Sequence, residues 1–221
     1  MPAAFDLSRL NAGQWVVIGL SSVLIVWLVA GIVINRREGV KAHAWLCSSL
    51  SGFTGGNLAW VDLATAASVL KPADPRACVE KIEAVFAFER RENLPLWLFH
   101  RAAGKRDSLI VRASLKASPS CEAHLVLSTE LAVLASLSQG RDPPLERRDD
   151  HDGYSLLMRG APAQGTLAAL KDAAARYPGG IQRVSLRPER PQLLFHARLD
   201  ALRKAPTGSL LTTIDELTRG A

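Results

Sequence analysis

Asp149, Asp150, His151 and Asp152 form the densest run of potential metal ligands in the chain. Carboxylates suit hard cations, and an imidazole suits zinc or iron. Consecutive loop residues point in divergent directions, however, and the calcium-loop spacing D-x-[DN]-x-[DN]-G is absent. Arg147 and Arg148 also offset the negative charge. A solvated turn is therefore the expectation, with no metal and no cofactor. The five histidines, His43, His100, His124, His151 and His196, fall on separate elements, and none stands in an H-E-x-x-H or nucleophile–base arrangement. His196 shares the polar face of its segment with Arg198, and His124 shares one with Glu122, which predicts a surface position for both.

The remaining chemistry is as sparse. Cys47, Cys78 and Cys121 are odd in number, far apart and never C-x-x-C, so they read as small buried residues in a reducing compartment. No G-x-S-x-G, G-x-G-x-x-G or Walker sequence occurs, and G-F-T-G-G at 52–56 lacks the G-K-[ST] of a phosphate loop and reads as a turn. What stands out is electrostatic: Arg36, Arg37 and Lys41 directly follow a long apolar run. Such residues fix topology, and they can also pair with anionic lipid at about 1 kcal/mol each.

That run, W-V-V-I-G-L-S-S-V-L-I-V-W-L-V-A-G-I-V-I over Trp15 to Ile34, carries no charge. As a helix it covers the roughly 30 Å hydrocarbon layer. It lacks the basic n-region and the A-x-A site of a cleaved signal peptide. Only Arg9, offset by Asp6, precedes it, so the positive-inside rule places the N-terminus outside and the rest of the chain in the cytoplasm. Gly19 with Ser22, and Ala30 with Gly31, offer small surfaces for close helix approach, without a full G-x-x-x-G.

The expected organisation is a short tail at 1–14, a transmembrane helix at 15–34, a juxtamembrane segment at 35–56 and a soluble α+β domain at 57–221. Within that domain a polar loop at 139–152 separates possible halves at 57–138 and 153–221. A helix is expected over 38–50, then a core helix or strand–helix element over 57–71. An antiparallel meander follows, with strands at 82–88, 94–98, 109–115 and 123–127, closed by a helix at 130–137. The C-terminal half reads β-α-β-β-α: a strand at 154–158, a helix opening at Pro162 and ending at Pro178, strands around Val184 and over 193–199 joined by R-P-E-R-P, and a helix carrying Leu210, Ile214 and Leu217. Residues from about 42 onward are expected to fold independently of the anchor.

This layout resembles a loosely defined group of uncharacterised bacterial single-pass membrane proteins with an N-terminal anchor and a β-α-β-β-α tail. The residues that carry the resemblance are R-R-E-G after the anchor, G-R-D-P-P-L-E-R-R-D-D-H-D-G-Y-S-L-L-M-R-G across the loop and strand, and G-G-I-Q-R-V-S-L-R-P-E-R-P-Q-L-L-F-H-A-R-L-D in the hairpin. The group's G-D-x-x-F-D segment is matched only by Asp152-Gly153-Tyr154 and Arg159-Gly160, and its Phe-Asp element is missing. The resemblance implies a bacterial inner-membrane location and no particular activity.

Net charge is +6 and aromatic residues make up 6%, but the basic residues alternate with Asp and Glu, so nucleic acid is not an expected partner. The expected partners are the lipid bilayer and a protein, either another chain or a second copy. The expected function is that of a membrane-tethered interaction or accessory protein, the alternative being an enzyme whose active site is assembled from distant segments.

Overall fold

The computed structural model describes residues 11–138, 145–160 and 164–219. Its first element is one uninterrupted helix, α1 (Ala12–Ser49), of 38 residues, about 57 Å long at the usual rise. A capping box starts it: the side chains of Asn11 and Gln14 each accept the other's backbone N–H at 2.9 Å. Among the described residues it is the one helix long and apolar enough to cross a membrane. Trp15, Val16, Val17, Leu20 and Val26 are each half or more exposed.

The short helix expected at 38–50 is the C-terminal part of α1. Nothing in N-R-R-E-G-V-K-A interrupts a helix except Gly39, and that glycine serves close approach, since a Cβ there would lie 2.5 Å from Trp60 Cζ2. From Gly31 onward α1 buries a stripe of Gly31, Asn35, Gly39, Ala42, Leu46 and Ser49, spaced as one helical face requires.

After α1 come β1 (Phe53–Thr54), β2 (Ala59–Trp60), β3 (Thr65–Pro72), β4 (Val79–Ala87), α2 (Leu94–Ala102), β5 (Ser108–Leu115), β6 (Glu122–Leu127) and α3 (Leu131–Ser138). Then follow β7 (Glu146–His151), β8 (Tyr154–Arg159), α4 (Gln164–Arg176), β9 (Ile181–Leu186), β10 (Leu193–Arg198), α5 (Leu199–Lys204) and α6 (Ser209–Arg219). The strands form one antiparallel sheet in the order β1-β3-β4-β5-β10-β9-β6-β8-β7, with β2 also on β3. The architecture is α+β.

Period-two burial runs straight across this sheet. Leu70, Ile82, Ala113, Leu193, Leu186, Ala123 and Met158 are successive cross-strand partners in one row. Ser68, Ala84, Val111, Phe195, Val184, Leu125 and Leu156 form the next, and every residue of both rows is buried. The lower part of α1, α4 and α6 supply the apolar residues packed with these rows, among them Ala42, Leu46, Leu170, Ile214 and Leu217.

Four expectations change. The meander does not run from β5 to β6, because the C-terminal β9–β10 hairpin inserts between them and joins both parts of the chain into one sheet. Residues 94–98 are helical rather than extended: the Asn93 side chain accepts the Leu96 N–H at 3.1 Å, and Pro95 occupies the first turn, where a helix tolerates it. Most of 57–71 is strand, with Ala66, Ser68 and Leu70 pointing inward. Finally, residues 146–151 of the polar segment form β7, which turns into β8 through Asp152 and Gly153, with φ of 48° and 81°. Asp-Gly with two positive φ angles suits a tight hairpin. The tail residues 1–10, loop residues 139–144, Pro162 and the side chains of Asp149, Asp150 and His151 lie outside the described set.

Candidate functional site at the helix–sheet joint

The most densely built polar constellation lies where α1 meets the sheet. Asn35, one residue beyond the apolar run, is completely buried. A buried amide must find partners for both ends. Its Nδ2 donates to the carbonyls of Glu89 (3.2 Å) and Leu63 (3.3 Å), and its Oδ1 accepts from Arg91 Nη1 at 2.8 Å. Arg91 Nη2 donates to Asp107 Oδ2 at 2.8 Å, and Asp107 Oδ1 accepts the backbone N–H of Glu89 at 2.8 Å. One turn earlier Gly31 lies against the chain at Arg91 and Glu92, where a Cβ would come within 2.5 Å of backbone atoms. Trp27 Nε1 donates to the Arg91 carbonyl at 2.6 Å, and its ring stands 5.5 Å from that of Trp97 on α2.

Charge surrounds this joint. Glu38 pairs with Lys41 at 2.9 Å and with Arg203 at 3.2 Å. The hydrogen bond from Lys41 holds the Glu38 carboxyl below the ordinary carboxylate range; partial burial opposes this and Arg203 reinforces it. Arg101 reaches Glu89 at 3.2 Å. A cavity of about 240 Å³ beside α2 is lined by Glu89, Arg91, Arg101, Arg106, Asp107 and Arg203, among others. Of the three residues that sequence singled out, Arg36 lies over the Trp60 ring at 4.1 Å, Lys41 is paired with Glu38, and Arg37 is exposed. Asn35, Glu38, Arg91, Asp107 and Arg203 were missed, although the helical spacing of Gly31, Asn35, Gly39 and Ala42 was a readable signal.

No family model matches the chain, and no curated protein matches it either.

A second polar network sits on the sheet face opposite the main core. His124 and Ser185 are direct cross-strand partners of β6 and β9. His124 Nδ1 lies 2.8 Å from Ser185 Oγ and its Nε2 lies 2.9 Å from Glu122 Oε1, while Arg183 Nε donates to Ser185 Oγ at 2.7 Å. The order Glu–His–Ser has the connectivity of a nucleophilic triad. Ser185 and His124 are nevertheless fully buried, and the Ser185 backbone lies in the ladder between β6 and β10. A nucleophile so placed has neither substrate access nor free N–H donors for an oxyanion. The network's role is to bridge two strands.

The expected surface position of His124 is thereby corrected, while His196 is half-buried. The alternation gave the right face, but at its β6–β8 end α3 and Leu145 cover that face, packing Val133, Leu134 and Leu137 against Val126 and Leu157. The Nε2 of His196 is buried without a partner. Burial, aided by the charge of Arg183, pushes its pKa down to about 4 from 6.5. The unfolded chain therefore takes up a proton near pH 6.5 that the folded chain refuses until about pH 4. Stability is full above the unfolded value and is lost as pH falls through the folded one, by up to about 3 kcal/mol. Replacing His196 with Gln is expected to flatten the decline of melting temperature between pH 7 and 5; parallel declines in the two proteins would refute the assignment.

Among the described residues no group of three His, Cys, Asp or Glu side chains is placed to hold a metal ion. Cys47 and Cys78 are exposed and Cys121 is buried, so only the last fits the expected buried role.

Proposed function

We propose that this protein is a membrane-tethered interaction or accessory protein, which holds its α+β domain against the cytoplasmic face of a bacterial inner membrane and presents it to a protein partner. The observation that carries the reading is the continuity of α1: one helix supplies both the exposed apolar length suited to a bilayer and the buried stripe that completes the domain core. Such a helix fixes the distance and orientation of the domain, where a flexible linker would leave them open. Cleavage just behind the apolar run would cut α1 beside Asn35, which argues for an anchor rather than a removable leader.

The surface available to a partner is the end of the sheet away from the joint. There Lys81, Arg112, Arg187 and Arg190, with Glu83, line a hollow of about 390 Å³, suited to an acidic partner segment.

Two measurements test this. A reporter active only after export, fused behind Ala221, is expected to stay silent, as Arg36, Arg37 and Lys41 demand; strong activity would reverse the orientation. Affinity purification of the detergent-solubilised full chain is expected to retain a partner that is lost when Lys81 and Arg112 are both replaced by Glu. A partner retained by that variant would remove this surface from the reading.

A further inference from the structure

Helix α2 reads L-P-L-W-L-F-H-R-A, yet none of its residues is buried. Leu98 and Phe99 are 53% and 69% exposed. An apolar helix face left outside the core of a folded chain calls for another apolar medium. The position of α2 indicates which. Trp97 is tied to Trp27 through their rings, and the segment leading into α2 is tied to α1 by the Trp27–Arg91 hydrogen bond and by the backbone against Gly31. Trp27 lies seven residues before Ile34, so α2 stands level with a point about 10 Å inside the end of the apolar run. Surface-lying amphipathic helices bury their apolar faces to a depth of about 5–10 Å.

Two further features border this level toward the water side. Nearer the end of the apolar run, the turn between β2 and β3 exposes Val61 (71%) and Leu63 (42%), and the Leu63 carbonyl is bonded to Asn35, one residue beyond that run. The last turn of α2 carries His100 and Arg101, and Lys105 and Arg106 follow it, with the Arg101 side chain 52% exposed. An apolar face bordered by cations on the water side is the chemistry of an anionic-lipid boundary.

We infer that α2 is a second membrane element, which lies in the cytoplasmic-leaflet interface with Leu98 and Phe99 among the acyl chains and Arg101, Lys105 and Arg106 at the level of the lipid phosphates. The inference rests on the reading of α1 as a membrane span, and it makes the domain's attachment two-point: α1 crosses the bilayer, and α2 lies in its surface and fixes the rotation of the domain about α1.

The test uses the full chain in vesicles of phosphatidylcholine and phosphatidylglycerol. Cys47 and Cys78, both exposed, are replaced by Ser, and buried Cys121 is left. Single cysteines at Val26, Phe99 or Arg112 carry an environment-sensitive fluorophore, and lipids bearing spin labels at shallow or deep positions act as quenchers. Deep labels are expected to quench position 26. Shallow labels are expected to quench position 99 to a comparable loss, and position 112 is expected to keep its emission. If position 99 behaves like 112 while 26 is quenched, α2 lies in water and this inference falls with the anchor intact. If position 99 is shielded from both lipid labels and aqueous iodide, a protein surface covers α2 and the lipid assignment is overturned. If position 26 is not quenched, the span itself is refuted and this inference with it.

Discussion

Deleting residues 1–33 is expected to leave a cooperatively folding domain, whereas deleting 1–46 is expected to leave none. The two truncated chains differ by thirteen residues, all but Ile34 of which were expected to be a juxtamembrane segment. Those residues include Asn35, Gly39, Ala42 and Leu46, all completely or almost completely buried. Loss of a fully buried leucine side chain alone costs about 2–5 kcal/mol. Removing the helical turns around it also uncovers Trp60 and Phe88, which lie against Gly39, and opens the core cluster to which Leu46 belongs. Against a total domain stability of about 5–15 kcal/mol, the sum of such losses is decisive. Thermal unfolding followed by circular dichroism in mild detergent reads the difference. A cooperative transition from a chain beginning at residue 47 would show that α1 is dispensable to the core, against both the packing described above and the proposed coupling of anchor and domain.

Replacing Asp107 with Ala is expected to lower stability by about 3 kcal/mol, because it leaves Arg91 Nη2 without its carboxylate and the Glu89 N–H without its acceptor, while Arg91 Nη1 keeps Asn35. The side chains of Arg91 and Asp107 are 15% and 18% exposed, so water replaces the lost acceptor only in part. For a chain of this size the loss corresponds to a fall in melting temperature of roughly 6–12 °C. Asp107→Asn retains an acceptor oxygen and is expected to fall by less than half as much. A change under about 1 kcal/mol for Asp107→Ala, the range of ordinary surface substitutions, would mean that water replaces Asp107 fully and that the joint is solvated.

The legible part of the fold was what strict periodicity writes. β4 and β10 alternate in burial because one face of each meets the main core, whereas β6 and β8 are buried on both faces, and α6 shows Leu210, Ile214 and Leu217 on one side. Misreadings arose where apolar residues serve something other than the domain core. Leu94, Leu96 and Leu98 imitate a strand by their spacing alone, and as a helix they point in different directions, with Leu98 exposed. The site was the least legible. Arg91 and Asp107 are sixteen positions apart and meet Asn35, more than fifty residues earlier, through a topology that no local pattern encodes. His124 was given the correct face but the wrong environment, since the cover of that face comes from a different stretch of chain. Asp152-Gly153 was the one strong local hairpin signal that the polar composition around it concealed.

The unbroken course of α1 makes it a lever. From Gly31 to Ser49 it lies against the sheet for about 27 Å, so in an anchored chain a change of about 10° in helix tilt would swing the far end of the domain by about 5 Å. Tilt is the ordinary response of a transmembrane helix to a change in bilayer thickness. A protein built in this way would convert the thickness of its membrane into the position at which Lys81, Arg112 and Arg190 meet whatever binds them.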